Sequence, residues 1–130
     1  MTSVLVVDDS KFLAKALARI LASNDFHVAA VAHDGHEGLA AYLEHRPDVT
    51  LLDITMPNMD GLECLSQILE SDPDARVVML SAIQDEEIIA RCREAGAIDY
   101  LSKPIRGTDP EDIERLTSTL KNAAAATIRS

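Results

Sequence analysis

The sequence predicts an α/β fold, a doubly wound five-stranded parallel sheet with helices on both faces. Three observations lead there. Five short apolar runs, at residues 4–7, 28–32, 49–52, 77–80 and 98–101, punctuate the chain. The longer segments between them repeat their apolar residues at helical spacing, and strands that alternate with helices build parallel sheets. The runs lack strict polar alternation, as strands covered on both faces do.

Each element follows in order. The first run, VLVV, ends in Asp8 and Asp9, and Ser10 then supplies a hydroxyl to cap a helix. Leu13, Ala16, Leu17, Ile20 and Leu21 share one face of that helix, and Asn24 stops it. After the second run, Asp34 and Glu37 have the spacing of a capping box, and the approach to Pro47 ends the helix they start. The third run leads to Asp53. Pro57 and Gly61 supply turn chemistry in MPNMDG, with Asp60 as a cap. Leu62, Leu65, Ile68 and Leu69 then mark a third helix that halts before Pro73. The fourth run ends at Ser81. Acids at Asp85–Glu87 suit a helix N-terminus, and Ile88, Ile89 and Cys92 mark a fourth helix closed by Gly96. Lys103 and Pro104 follow the fifth run. Asp109 and Pro110 read as N-cap and first position of a last helix with Ile113, Leu116 and Leu120 inward. The result is a (βα)5 three-layer sandwich.

Composition narrows the function. A chain of 130 residues is long enough for one domain with its own core. Its net charge of −10 and pI near 4.6 argue against a nucleic-acid partner, which needs a basic face. Two cysteines, Cys64 and Cys92, stand outside any metal or redox spacing and read as ordinary helix residues. No apolar stretch approaches the roughly 20 residues of a membrane helix. The N-terminus enters VLVV without a basic region or cleavage site, so no signal peptide is expected. A cytoplasmic protein without membrane contact fits best.

Ligands of open α/β sheets bind beyond the carboxyl ends of the strands. Those ends carry Asp8, Asp9, Asp53, Ser81 and Lys103. Two carboxylates about 4 Å apart repel by about 4 kcal/mol at an effective dielectric of about 20. Three together would consume much of a domain's roughly 5–15 kcal/mol of stability. Such a cluster takes up protons or holds a cation, and hard oxygen ligands around a small open site suit Mg²⁺.

The segments VLVVDDS, LLDITMPNMDG, VVMLSA and YLSKPI, in this order and spacing, resemble the receiver domain of two-component response regulators, chemotaxis receivers included. The resemblance covers residues 1–126 and leaves 127–130 as a tail. It implies a flavodoxin-like sheet of strand order 2-1-3-4-5. It also implies Mg²⁺-dependent transfer of a phosphoryl group from a sensor histidine kinase, or a phosphotransfer protein, to Asp53. Asp9 matches the direct metal ligand, Asp8 a ligand through water, and Asp53 with the Thr55 carbonyl completes the set. Lys103 and the metal offset charge on the transferring group. Ser81 matches the hydroxyl that follows the phosphoryl group, with Ala82 leaving space beside it. Tyr100 matches the aromatic whose position reports activation. Lys103–Pro104 matches a cis peptide bond. Thr55 and Ile83 flank the path of the hydrolytic water. The face made by the fourth helix, fifth strand and fifth helix is where a downstream protein partner binds. No turnover of an outside substrate is implied, only the domain's own phosphorylation and dephosphorylation.

Taken singly, these residues have plainer roles. Asp8 and Asp9 suit a turn or cap, Ser81 a local backbone bond, Tyr100 edge-strand packing and Lys103 a surface amine. A haloacid-dehalogenase-like aspartyl phosphatase uses similar groups, but its nucleophile follows the first strand, with a second Asp two residues on. Here Asp53 follows the third run and position 55 is threonine. A flavodoxin-like cofactor carrier needs a glycine- and hydroxyl-rich phosphate loop, which DDSKFLAK is not. A stand-alone receiver, a phosphorelay intermediate and a receiver within a longer protein all remain open. His33 and His36 read as solvated loop residues, since no Cys or further His stands nearby.

Overall fold

The computed structural model describes residues 1–54, 60–82 and 85–126. Thr55, Pro57, Ile83 and the expected tail 127–130 lie outside the described residues. Strands β1 (Thr2–Val7), β2 (Phe26–Ala32), β3 (Val49–Asp53), β4 (Val77–Ser81) and β5 (Asp99–Ser102) alternate with helices. The helices are α1 (Lys11–Ala22), α2 (Gly35–His45), α3 (Gly61–Ser71), α4 (Glu86–Glu94) and α5 (Pro110–Ala125). All strand pairs are parallel, in the order β2-β1-β3-β4-β5. Each predicted strand is present, displaced or extended by one or two residues at its ends.

Alternate side chains of the central strands feed two separate cores. Leu5, Val7, Leu52, Val77 and Met79 pack against Tyr42, Cys64, Leu65, Ile68 and Cys92 of α2, α3 and α4. Val4, Val6, Leu51, Val78 and Leu80 pack against Leu17, Leu21, Leu116 and Leu120 of α1 and α5. Full burial of one such side chain contributes roughly 1.5–3 kcal/mol, so a sheet covered on both faces is held along its whole length. Between α2 and α3, the Tyr42 hydroxyl donates to Asp72 at 2.7 Å. That bond, helped by Arg46, holds the Asp72 carboxyl below the usual carboxylate range.

The expected caps form. Ser10 accepts from Leu13 N, Asp60 from Glu63 N, and Asp109 from Glu111 N, with Pro110 opening α5. Asp34 accepts from Glu37 N at 2.8 Å, but the Glu37 carboxylate reaches back to His33 N rather than to Asp34 N. Asn24 does terminate α1, since its amide donates to the Ile20 carbonyl at 2.7 Å.

Two core assignments differ from the sequence expectation. The buried stripe of α1 is Ala14, Leu17 and Leu21, while Leu13, Ala16 and Ile20 are half-buried. On α5, Ile113 is half-buried and Asp112 is buried in its place. Asp112 lies four residues before Leu116 and eight before Leu120, so helical spacing brings it to the inner stripe. It is tolerated there because it accepts hydrogen bonds from Arg106 N and Arg115 Nη2.

The junction of β3 with α3 is tight. Gly61 N donates to the Ile54 carbonyl at 2.7 Å. A Cβ at Gly61 would collide with the Asp53 carbonyl oxygen and stand 2.5 Å from Ile54 Cα. Only a residue without a side chain lets α3 begin so close to Asp53. Gly61→Ala is therefore expected to cost about 1–3 kcal/mol of stability. A urea denaturation midpoint equal to that of the wild type would show that this junction yields without strain.

Candidate functional site

The sheet register gathers the chemistry. Val7 pairs with Leu52, Asp53 with Leu80, and Ser81 with Ser102. The four strands β1, β3, β4 and β5 therefore end close to one level, and Asp8, Asp53, Ser81 and Lys103 meet there. This is also where strand order reverses, between β1 and β3, so a crevice opens at that end of the sheet.

Asp8, Asp9 and Asp53 each bring a carboxylate oxygen within 4.8 Å of the others. Asp8 and Asp53 are buried, at 1% and 4% exposure, while Asp9 is open to solvent. Asp8 Oδ1 accepts from Ser10 N at 2.9 Å. Lys103 Nζ stands 3.1 Å from Asp8 Oδ2 and 3.5 Å from Asp53 Oδ1. Asp8 Oδ2 is sealed from solvent and, among the described residues, has no aligned hydrogen-bond partner. Its contact with Lys103 is an ion pair. The Lys103 backbone N–H donates to the Ser81 carbonyl at 2.9 Å, and the Lys103–Pro104 bond is cis, as the resemblance implied.

Three carboxylates and one ammonium leave a formal charge of −2 at this crevice. The donors are hard oxygens, one is buried without an aligned hydrogen bond, and one carboxylate is open to water. That set fits Mg²⁺, which binds few carboxylates and keeps several waters. Thr55, expected to add a carbonyl, lies outside the described residues.

Ser81 is buried at the end of β4. Tyr100 is half-buried on β5, its phenol pushed up by burial while a side-chain hydrogen bond with Ser81 acts the other way. Ser81 and Tyr100 are thus linked, which the sequence spacing alone did not reveal. The cysteines behave as packing residues. Burial, reinforced by Asp34, Asp60 and Glu63, pushes the Cys64 thiol up to about 12, and burial also raises that of Cys92.

Two features escaped the sequence. His33 is half-buried rather than solvated, and its Nδ1 lies 3.3 Å from the Asp8 carbonyl oxygen. His36 is exposed as expected, though in the first turn of α2 rather than in a loop. Asp112 and Arg115 lie beside the Lys103 loop, where Arg115 donates to the carbonyls of Ser102 and Pro104. The one available signal was an acid on the apolar stripe of α5.

Comparison with known proteins agrees with this geometry. The model of the response regulator receiver domain matches residues 4–117. The chemotaxis protein CheY of Listeria monocytogenes serovar 1/2a is 39% identical over 124 residues, covering 95% of this chain and 99% of its own. The response regulator domain of Thermotoga maritima CheB superposes with a TM-score of 0.87 at 33% identity, over 98% of this chain and 99% of that one. A chain of the CheX–CheY–BeF3–Mg²⁺ complex from Borrelia burgdorferi superposes with a TM-score of 0.82 at 40% identity, over 91% and 88%. With the family match spanning both acidic ends and the lysine, the chain belongs to the response regulator receiver domain family.

Proposed function

We propose that this receiver is a phosphorylation switch of the chemotaxis type, with Asp53 as phosphoacceptor and a sensor histidine kinase or phosphotransfer protein as donor. The observation that supports this best is the Lys103 ammonium, set between Asp8 and Asp53 inside a cluster of three acids. An Asp53 carboxylate oxygen attacks phosphorus in line. The new O–P bond forms as the P–N bond of the phosphohistidine breaks, and the imidazole leaves with that electron pair. Lys103 then pairs with the transferred oxygens, whose charge it offsets. Asp9 directly, Asp8 through water, Asp53 and the Thr55 carbonyl would hold Mg²⁺, which would supply positive charge near the same oxygens. The Borrelia complex, which contains Mg²⁺ and BeF3 alongside CheY, supports Mg²⁺ as the ion.

Ser81 is the hydroxyl that turns to the phosphoryl group. Its bond with Tyr100 ties that movement to β5, next to α4 and α5, which form the face for a downstream protein in the cytoplasm. Among the described residues no helix is long and apolar enough to cross a membrane.

Acetyl phosphate is expected to label Asp53 only with Mg²⁺ present, as intact-mass measurement on wild type and Asp53→Asn will show. Equal labelling of the two proteins would remove Asp53 from the role.

The pair at the end of β1 divides its work by exposure. Asp8 is buried and already holds Ser10 N and Lys103, whereas Asp9 faces solvent. Calorimetric titration should find Mg²⁺ binding weakened more by Asp9→Ala than by Asp8→Ala. The reverse order would exchange their roles.

Lifetime of the phosphorylated state is set, in this proposal, by Thr55 and Ile83 beside the hydrolytic water. Ile83 offers that water no hydrogen bond, and Thr55 only a short hydroxyl. Phosphate loss after donor removal should be faster in Thr55→Asn/Ile83→Glu, with about tenfold in rate for each 1.4 kcal/mol of barrier. An unchanged rate would show that these side chains do not control hydrolysis.

A further inference from the structure

The loop that carries Lys103 is held from α5 at several points. Arg115 Nη1 donates to the Ser102 carbonyl at 2.9 Å, and Arg115 Nη2 donates to the Pro104 carbonyl at 3.2 Å. These are the carbonyls of the residues on either side of Lys103. Arg115 Nη2 also reaches Asp112 Oδ1 at 3.2 Å, while Asp112 Oδ2 accepts from Arg106 N at 2.9 Å. One guanidinium and one buried carboxylate thus engage residues 102, 104 and 106, and the Ser81 carbonyl holds residue 103 itself.

We propose that Arg115, held by Asp112, is a positioning residue for Lys103, fixing the backbone on both sides so that the ammonium stands between Asp8 and Asp53. The planar fork of arginine suits the task, because its donors point in fixed directions to separate acceptors. A lysine at 115 has the charge but not the fork. Asp112 orients the guanidinium and ties Arg106 N to the same carboxylate, so the loop is held at both ends. Arg115 bonds to the Ser102 and Pro104 carbonyls and to Asp112, so the influence proposed for it on phosphorylation runs through Lys103. This deepens the phosphorylation reading above and rests on it.

The decisive experiment is a double-mutant cycle in the full chain at saturating Mg²⁺, with acetyl phosphate as donor. Wild type, Arg115→Ala, Lys103→Ala and the double variant are compared for initial labelling rate, with thermal melts to confirm folding. Arg115→Ala is expected to slow labelling about tenfold, the scale on which small misplacements act. In the Lys103→Ala background it should change the rate by less than about twofold, since nothing is left to position. Mg²⁺ should bind Arg115→Ala at least as tightly as wild type, because a misplaced ammonium no longer opposes the cation. Arg115→Lys should fall between wild type and Arg115→Ala, and it serves as the test pair with Lys103→Ala if the alanine variant does not fold.

Labelling of Arg115→Ala at the wild-type rate would overturn the inference. So would an equal loss in both backgrounds, which would mark Arg115 as a general support of α5. If wild type is not labelled, or Lys103→Ala is labelled as fast as wild type, the proposed function fails and this inference falls with it. The two failures are therefore distinguishable.

Discussion

Like charges packed at the end of a buried sheet are the constraint around which this molecule is arranged. Asp8 and Asp53 are almost fully enclosed, and Asp9 stands beside them, with carboxylate oxygens of all three within 4.8 Å of each other. A fold tolerates such a site only by bringing positive charge or proton donors to it. Here the backbone contributes Ser10 N to Asp8, and the β5–α5 loop contributes the Lys103 ammonium. The formal charge of −2 that the three carboxylates and the ammonium leave matches a divalent cation.

Such a site needs a stiff frame, because Coulomb energies at 3 to 4 Å change steeply with small displacements. Stiffness comes from the two-sided core. β3, the strand that ends in Asp53, is buried at every residue and sits between β1 and β4. Below its end, Gly61 lets α3 start against the backbone of Asp53 and Ile54. The carboxylate of Asp53 is thus mounted on parts that cannot shift without disturbing both layers. Close packing of this kind gives discrete arrangements rather than gradual deformation, which suits the proposed switch.

Most of this frame was legible in the sequence because it depends on local signals. Unbroken apolar runs, caps at Ser10, Asp60 and Asp109, and stops near Asn24, Pro47, Pro73 and Gly96 each act over a few residues. Strand order did not follow from those signals and came only with the four resemblance motifs, since nothing local says which strands are neighbours. The acids and Lys103 were found because each lies within two residues of the end of an apolar run. What escaped depends on contacts between distant segments. Ala14 rather than Ala16 is buried because the pitch of α1 over the sheet, not composition, selects between two alanines. Asp112, an acid in the first turn of α5, takes its role from partners in the preceding loop and along the helix, Arg106 and Arg115. The Ser81–Tyr100 link likewise joins two strands whose adjacency the sequence does not state.

Lys103 has two requirements that pull against each other. In the proposed mechanism its ammonium leaves the carboxylates when a phosphoryl group arrives, yet returns to the same place afterwards to offset their charge. A long flexible side chain on a loose loop would meet the first demand and fail the second, because its return would cost the entropy of ordering both chain and loop. The structure can meet both demands, because the backbone at residues 102, 104 and 106 is tied to α5 by hydrogen bonds while the tetramethylene chain carries none. The carbonyls around Lys103 are engaged by α5, and its N–H by β4. With the backbone tied at these points, the proposed exchange of the ammonium between carboxylate and phosphoryl oxygens asks only for side-chain torsions to change.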